Sequence, residues 1–148
     1  MKIREAAADG ETVAALIRLS EDWAAENSCC GYRANGEADI EGNRIFLAEE
    51  EGTVAGYLFG RMRTSEGMRS VMPDGTPFFE VEELYVVPRM RSRGIGAALF
   101  RHAEDAVRGG TEFVVLSTAA RNWRAILHFY LEELGMEFWS ARLYKRLT

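Results

Sequence analysis

The sequence predicts an α/β fold (α+β): a mixed, mostly antiparallel sheet of six to seven strands flanked by helices on both faces. Three observations predict it. The strand-like and helical patterns follow in the order β-α-β-β-β-α-β-α-β, which needs a sheet with helices packed on its faces. A strand-like run passes through a glycine turn into a helical pattern at Val81–Phe100 (VEELYVVPRMRSRGIGAALF). The length, 148 residues, and a 47% hydrophobic content suit a single domain, 1–148, built on one core.

The elements are justified in chain order. Lys2-Ile3-Arg4 forms a short first strand. Asp9 and Thr12 are cap-type residues ahead of Val13, Leu16, Ile17, Ser20 and Ala24, whose spacing predicts an amphipathic helix over 11–26. Residues 27–42 carry Gly31, Gly36, Gly42 and several acids and read as a loop. Ile45–Ala48 and Val54–Phe59 are strands, and Glu50-Glu51-Gly52 turns one into the other. A long connector over 63–77 holds a tight turn at Asp74-Gly75, and Phe78–Val87 is the next strand. Residues 94–108 place Ile95, Ala98, Leu99, His102 and Ala106 on one helical face, and Gly109-Gly110 stops that helix. Phe113–Leu116 is a fifth strand, 122–134 a helix ending at Gly135, and 138–147 supplies a last hairpin. No repeat, low-complexity segment or linker interrupts the chain.

The most informative stretch is Arg91-Ser92-Arg93-Gly94-Ile95-Gly96, an R-x-x-G-x-G turn between strand and helix. Glycines let a ligand approach the backbone closely. Free N–H groups at a helix start, with the helix dipole behind them, suit a phosphate. A dinucleotide fingerprint would need a third glycine and an acid about 20 residues on, and Glu112 is not clearly that acid. A nucleotide P-loop would need G-x-x-x-x-G-K-[ST], which is absent.

This turn, with the L-Y-V-V-P strand before it, resembles the GNAT superfamily of acetyl-CoA-dependent N-acetyltransferases. Asn122-Trp123-Arg124-Ala125-Ile126-Leu127-His128-Phe129-Tyr130, running on to Leu134-Gly135-Met136, resembles that family's second signature, with Met136 where a Phe is usual. The resemblance covers nearly the whole chain. It implies acetyl-CoA as cofactor, with the pyrophosphate held by Arg91, Ser92, Arg93, Gly94, Ile95, Gly96 and Ala97, chiefly through backbone N–H groups. It implies that the fourth and fifth strands splay so that the pantetheine arm slips between them. Val86 and Val87 would offer backbone groups to the arm and the thioester. Asn122 would bond the arm or cap the helix that follows.

Acyl transfer to an amine needs a base, an oxyanion donor and a proton for the leaving thiolate. The resemblance puts the base at Glu80 or Glu82. By strand alternation these two share a face with Leu84 and Val86, and Glu83 points the other way with Val81 and Tyr85. Clustered carboxylates raise one another's pKa, which suits a base working near neutrality. Which of Glu80, Glu82 and Glu83 serves is left open. Tyr130 stands at the family's tyrosine position and would protonate the thiolate; a free Tyr titrates near ~10 and a thiol near ~8.5. The implied reaction is direct transfer of acetyl to a primary amine on a small molecule, peptide or lysine. Two alternatives are a non-catalytic CoA-binding sensor module and a nucleotide-binding module.

Net charge is −5, which disfavours nucleic acid and mildly favours a cationic acceptor. No apolar signal segment or membrane-length run is present. Adjacent Cys29 and Cys30 have no metal-ligand spacing and read as free thiols of a cytoplasmic protein. His102 and His128 have no partner at ligand spacing, so no metal site is expected. Many family members dimerise, which leaves a homodimer open as a partner. The acceptor would be set by residues 27–42 and 63–77.

Overall fold

A computed structural model describes residues 1–148. The elements are β1 (Lys2–Ala6), α1 (Gly10–Glu26), α2 (Glu37–Ile40), β2 (Arg44–Glu50), β3 (Thr53–Thr64), β4 (Pro77–Val86), a 3₁₀ turn (Pro88–Met90), α3 (Ile95–Val107), β5 (Val114–Val115) and α4 (Trp123–Leu127). A π-helical turn, His128–Glu133, continues α4. The strands lie side by side in the order β1-β2-β3-β4-β5. All neighbours are antiparallel except β4 and β5, which run parallel.

The sequence explains the local choices. The Asp9 carboxylate accepts from the Thr12 N–H at 2.8 Å and caps α1, and Asn27 ends that helix in the left-handed region. Gly52 reverses the chain between β2 and β3 with φ +78°. Gly56 and Tyr57 are adjacent on β3 and so face opposite sides of the sheet. The α3 residue Leu99 covers Gly56. On the other side Tyr57 is opposite Tyr85, whose ring stacks on Trp23 of α1. Helices therefore cover both faces, with Tyr57, Phe46, Phe59, Phe79 and Phe100 fully buried between the layers.

Three expectations change. On α3 the buried stripe is Ile95, Leu99, Phe100, Ala103 and Val107, while His102 and Ala106 are exposed. Loop 27–42 contains the single-turn α2. Most notably, the hairpin expected over 138–147 is absent, so the sheet has five strands and not six or seven. Residues 137–148 contain no Gly, Pro, Asn or Asp to reverse the chain, and Arg142, Lys145 and Arg146 break the apolar alternation. Leu143, Tyr144 and Leu147 stay almost wholly exposed.

Candidate active site

The site begins where the sheet stops pairing. β4 and β5 are bonded only at Phe79↔Val114 and Glu80↔Val115. Beyond those two pairs no further β4–β5 ladder forms. The segment after α1 bridges the gap: Cys30 N–H donates to the Ala119 carbonyl and Arg121 N–H to the Ser28 carbonyl, both at 2.9 Å. The open cleft there, about 230 Å³, is lined by Val81–Leu84 of β4, by Ser117–Ala120, and by Trp23, Tyr32 and Tyr130.

At one end of β4 stands the glycine turn. Gly94 takes φ +81° and Ser92, unusually for a residue with a Cβ, φ +63°. These two left-handed residues curl the chain into α3. No protein acceptor takes the backbone N–H groups of Ser92 through Ala97, and Gly94 provides no side-chain cap. Those donors form the cradle a pyrophosphate requires. Gly96 is tight for another reason: a Cβ there would lie 3.3 Å from Phe129. The Arg91 side chain is already engaged. Its guanidinium meets Glu26 at 2.7 Å and the Val86 carbonyl at 2.9 Å, and lies over the Tyr85 ring. Val87 N–H is likewise taken by the Ala55 carbonyl. The β4 residues that line the cavity are Val81–Leu84, which precede Val86 and Val87.

The three carboxylates of β4 separate sharply. Phe59 pairs with Glu83, Gly60 with Val81 and Arg61 with Glu80, so β4 carries one extra residue, a β-bulge at Glu82. Phe59 and Arg61 are two apart on an unbroken β3 and share a face, so Glu80 and Glu83 share that face too. The expected placement of Glu83 on the opposite face from Glu80 and Glu82 is thus corrected, and the bulge is the reason. Close backbone passage at this rung needs Gly60, where a Cβ would lie 2.2 Å from the Glu80 carbonyl oxygen.

Glu80 and Glu82 both bind Arg63, at 3.0 and 2.8 Å, in pairs open to solvent. Glu82 also lines the cavity; Glu80 does not. Glu83 has no cation. Its Oε1 accepts from Tyr57 Oη at 2.8 Å, Asn35 Nδ2 at 2.9 Å and Tyr32 Oη at 3.0 Å. Its Oε2 accepts from no protein donor. Burial pushes the Glu83 carboxyl above the ordinary carboxylate range, against the three hydrogen bonds, which pull it down. Tyr32, Asn35 and Tyr57 were not singled out from sequence. The adjacent acids Glu82-Glu83, which break the period of two, were the one available signal of the bulge.

Tyr130 lies in the π-helical turn, packed by Phe100 and Phe129, with its side chain on the cavity. Burial first, then the nearby Cys29 thiol, pushes its hydroxyl up to about 12. It is a neutral donor at neutral pH. Asn122 sits at the start of α4, exposed, and makes no side-chain cap bond. Cys29 and Cys30 are free thiols on the cavity wall. No group of His, Cys, Asp and Glu is arranged to hold a metal.

The glycine turn follows β4, and the cavity with Tyr130 on its wall lies along the same strand at Val81–Leu84. A family model described as the acetyltransferase (GNAT) family matches residues 19–136. The chain belongs to that family. As a GNAT enzyme it is an acyl-CoA-dependent N-acetyltransferase with acetyl-CoA as its cofactor. Its fold is similar to that of the aminoglycoside N-acetyltransferase AAC(6')-Iy in complex with CoA, at 18% identity and TM-score 0.68, over 99% of both chains. It is also similar to a ribosomal-protein-alanine N-acetyltransferase from Brucella melitensis biovar Abortus 2308, at 16% identity and TM-score 0.69, over 99% of this chain and 100% of that one. A 6'-N-acetyltransferase of aminoglycoside antibiotics from Acinetobacter haemolyticus gives 19% identity and TM-score 0.66, over 100% and 99%. No curated protein matches the chain in sequence. At these identities the likeness is one of fold.

Proposed function

We propose that this GNAT domain acetylates a primary amine by direct transfer from acetyl-CoA, in the cytoplasm. The pyrophosphate would sit on the N–H groups of Ser92–Ala97, and the pantetheine arm between β4 and β5 along Val81–Leu84. The thioester would then reach the middle of the cavity. Glu83 serves as the general base: it is on the cavity, lacks a counter-ion and has a raised pKa. Glu80 and Glu82 are held by Arg63, and of the two only Glu82 reaches the cavity. Tyr130 delivers a proton to the departing thiolate from the opposite wall.

The observation that carries this reading is one cavity holding a carboxylate and a tyrosine hydroxyl that both lack a cationic partner. Electron flow is simple. The amine lone pair attacks the thioester carbon, Glu83 takes the amine proton, the C–S bond breaks, and the CoA sulfur takes the Tyr130 proton. The acceptor is a small-molecule amine or a peptide amine; the solved relatives named above include proteins described as acting on both kinds. The test is release of CoA thiol on mixing the protein, acetyl-CoA and a panel of primary amines. Amine-dependent thiol release is expected. Tight CoA binding with no release on any amine would instead leave a non-catalytic CoA-binding module.

A further inference from the structure

We propose that the acceptor is a primary amine on a molecule bearing at least one further positive charge and no carboxylate near the amine, held by Glu83 Oε2 beside the aromatic rings of Trp23 and Tyr32. This rests on the reading of the cavity as the transfer site. Three observations carry it beyond that reading. First, the cavity wall includes two carboxylates, Glu82 and Glu83, and no lysine or arginine. Arg61 and Arg63 pair with Glu82 and Arg91 with Glu26, while Arg33 and Arg121 make no ion pair but do not line the cavity. An acceptor carboxylate would meet repulsion and no partner.

Second, all three donors to Glu83 converge on Oε1. No fully buried side-chain oxygen in the protein lacks a partner, so Oε2 opens onto the cavity. A partly buried carboxylate with one bare oxygen favours a cation there. The Trp23 ring stacks between Tyr32 at 4.2 Å and Tyr85 at 5.1 Å, which fixes the aromatic wall beside that oxygen. An aromatic face turned toward an ammonium adds attraction and excludes water.

Third, the charge of the chain is not spread evenly. Residues 20–42, of which Trp23 and Cys29–Tyr32 line the cavity, hold six acids (Glu21, Asp22, Glu26, Glu37, Asp39, Glu41) and one base (Arg33). That net −5 equals the net charge of the whole chain, so the remainder is neutral. Glu26 is paired with Arg91 and Asp39 caps the Gly36 N–H, while Glu21, Asp22 and Glu37 remain exposed without a partner. Once the reacting ammonium sits at Glu83, this field is left for a second positive group.

The experiment compares three five-carbon amines: diaminopentane, aminopentanol and aminopentanoic acid, which end in an ammonium, a hydroxyl and a carboxylate. Binding to the protein–CoA complex is measured by calorimetry, and turnover by thiol release. The diamine is expected to exceed aminopentanol by about tenfold in affinity and in kcat/KM, with aminopentanoic acid weakest, and salt near ~0.5 M should shrink the gap. The double variant Asp22→Asn/Glu37→Gln should narrow the diamine-to-aminopentanol ratio, a quantity that general misfolding does not move. Equal or better use of aminopentanol or aminopentanoic acid overturns the inference and leaves the transfer reaction intact. Preferential diamine binding without turnover on any amine supports the inference and overturns the transfer reading. Failure of all three to bind overturns the inference.

Discussion

Tyr57 donates its hydroxyl to Glu83 Oε1 at 2.8 Å across the β3–β4 pair, on the oxygen that Asn35 and Tyr32 also use. The carboxylate is thereby fixed in orientation by neutral groups alone. No cation cancels its charge, and burial raises its proton affinity against the pull of the three hydrogen bonds. That combination suits a group that must take a proton and hold it through one catalytic step.

Glu83→Gln is expected to lower kcat/KM by roughly 10²–10⁴ near neutral pH. Part of the loss should return at high pH, where the amine sheds its proton unaided. The acidic limb of the wild-type profile should lie above the ordinary carboxylate value of 4.5, because activity needs the ionised form of a group whose pKa is raised. Glu80→Gln and Glu82→Gln are the comparison. If either of those removes the acidic limb and Glu83→Gln spares it, the base assignment moves along the strand.

The same shift has a stability consequence of fixed sign. A carboxyl whose folded pKa exceeds its unfolded value holds more proton in the folded state. Wild-type stability should therefore fall as pH rises from 4.5 through the raised folded pKa. Urea unfolding of the wild type and of Glu83→Gln across that window checks it, and parallel pH slopes would count against a raised Glu83 pKa.

Tyr130→Phe keeps the ring packed by Phe100 and Phe129. It should lower kcat and kcat/KM together while the acetyl-CoA Kd stays nearly constant. Stability should change little, because the hydroxyl leaves no protein partner behind. An unchanged kcat on a good acceptor would return Tyr130 to a packing role.

Acetyl-CoA should raise the melting temperature and ATP should not. At 100 times its Kd a ligand adds about 2.7 kcal/mol. Gly94→Val should remove most of that gain, since a β-branched residue is strained at φ +81° and crowds the cradle. Equal shifts with the two ligands would argue for a nucleotide site.

Gly60→Ala tests the bulge. The new methyl would sit 2.2 Å from the Glu80 carbonyl oxygen, beside a fully buried Phe79 ring, and backbone must move. A loss of about 1–3 kcal/mol or more is expected, with activity falling alongside because Glu82 and Glu83 are re-aimed. A variant with wild-type melting temperature and pH profile would show that the bulge is not needed.

Much of this was legible in advance, for local reasons. Asp9 and Thr12 announce α1, Glu51-Gly52 the hairpin, and Arg91–Gly96 the anion cradle, because each rests on chemistry between neighbours in the chain. The placement of Glu83 was not legible. Strict alternation put it opposite Glu80, and only the bulge opposite Gly60 turns it to the same side. Its donors come from Tyr32, Asn35 and Tyr57, which are 51, 48 and 26 residues away. No local rule reaches that far. The missing last hairpin shows the converse: Phe138–Leu147 has strand-type residues but no turn to fold them back.

The single rung between Val114-Val115 and Phe79-Glu80 also makes the sheet mechanically unequal. Its four antiparallel strands form a stiff plate, while β5 hangs from that plate by its first residues. An unpaired stretch of backbone opens more readily than a paired one, and amide exchange records the difference. In the empty protein the amides of Val81–Leu84 that face β5 rather than β3, and those of Leu116–Ala119, should exchange as one fast group, ahead of those shared by β2 and β3. A linear guest carrying its own amides could fasten both sides at once, so that occupancy would be written directly into the exchange rates of these two short stretches.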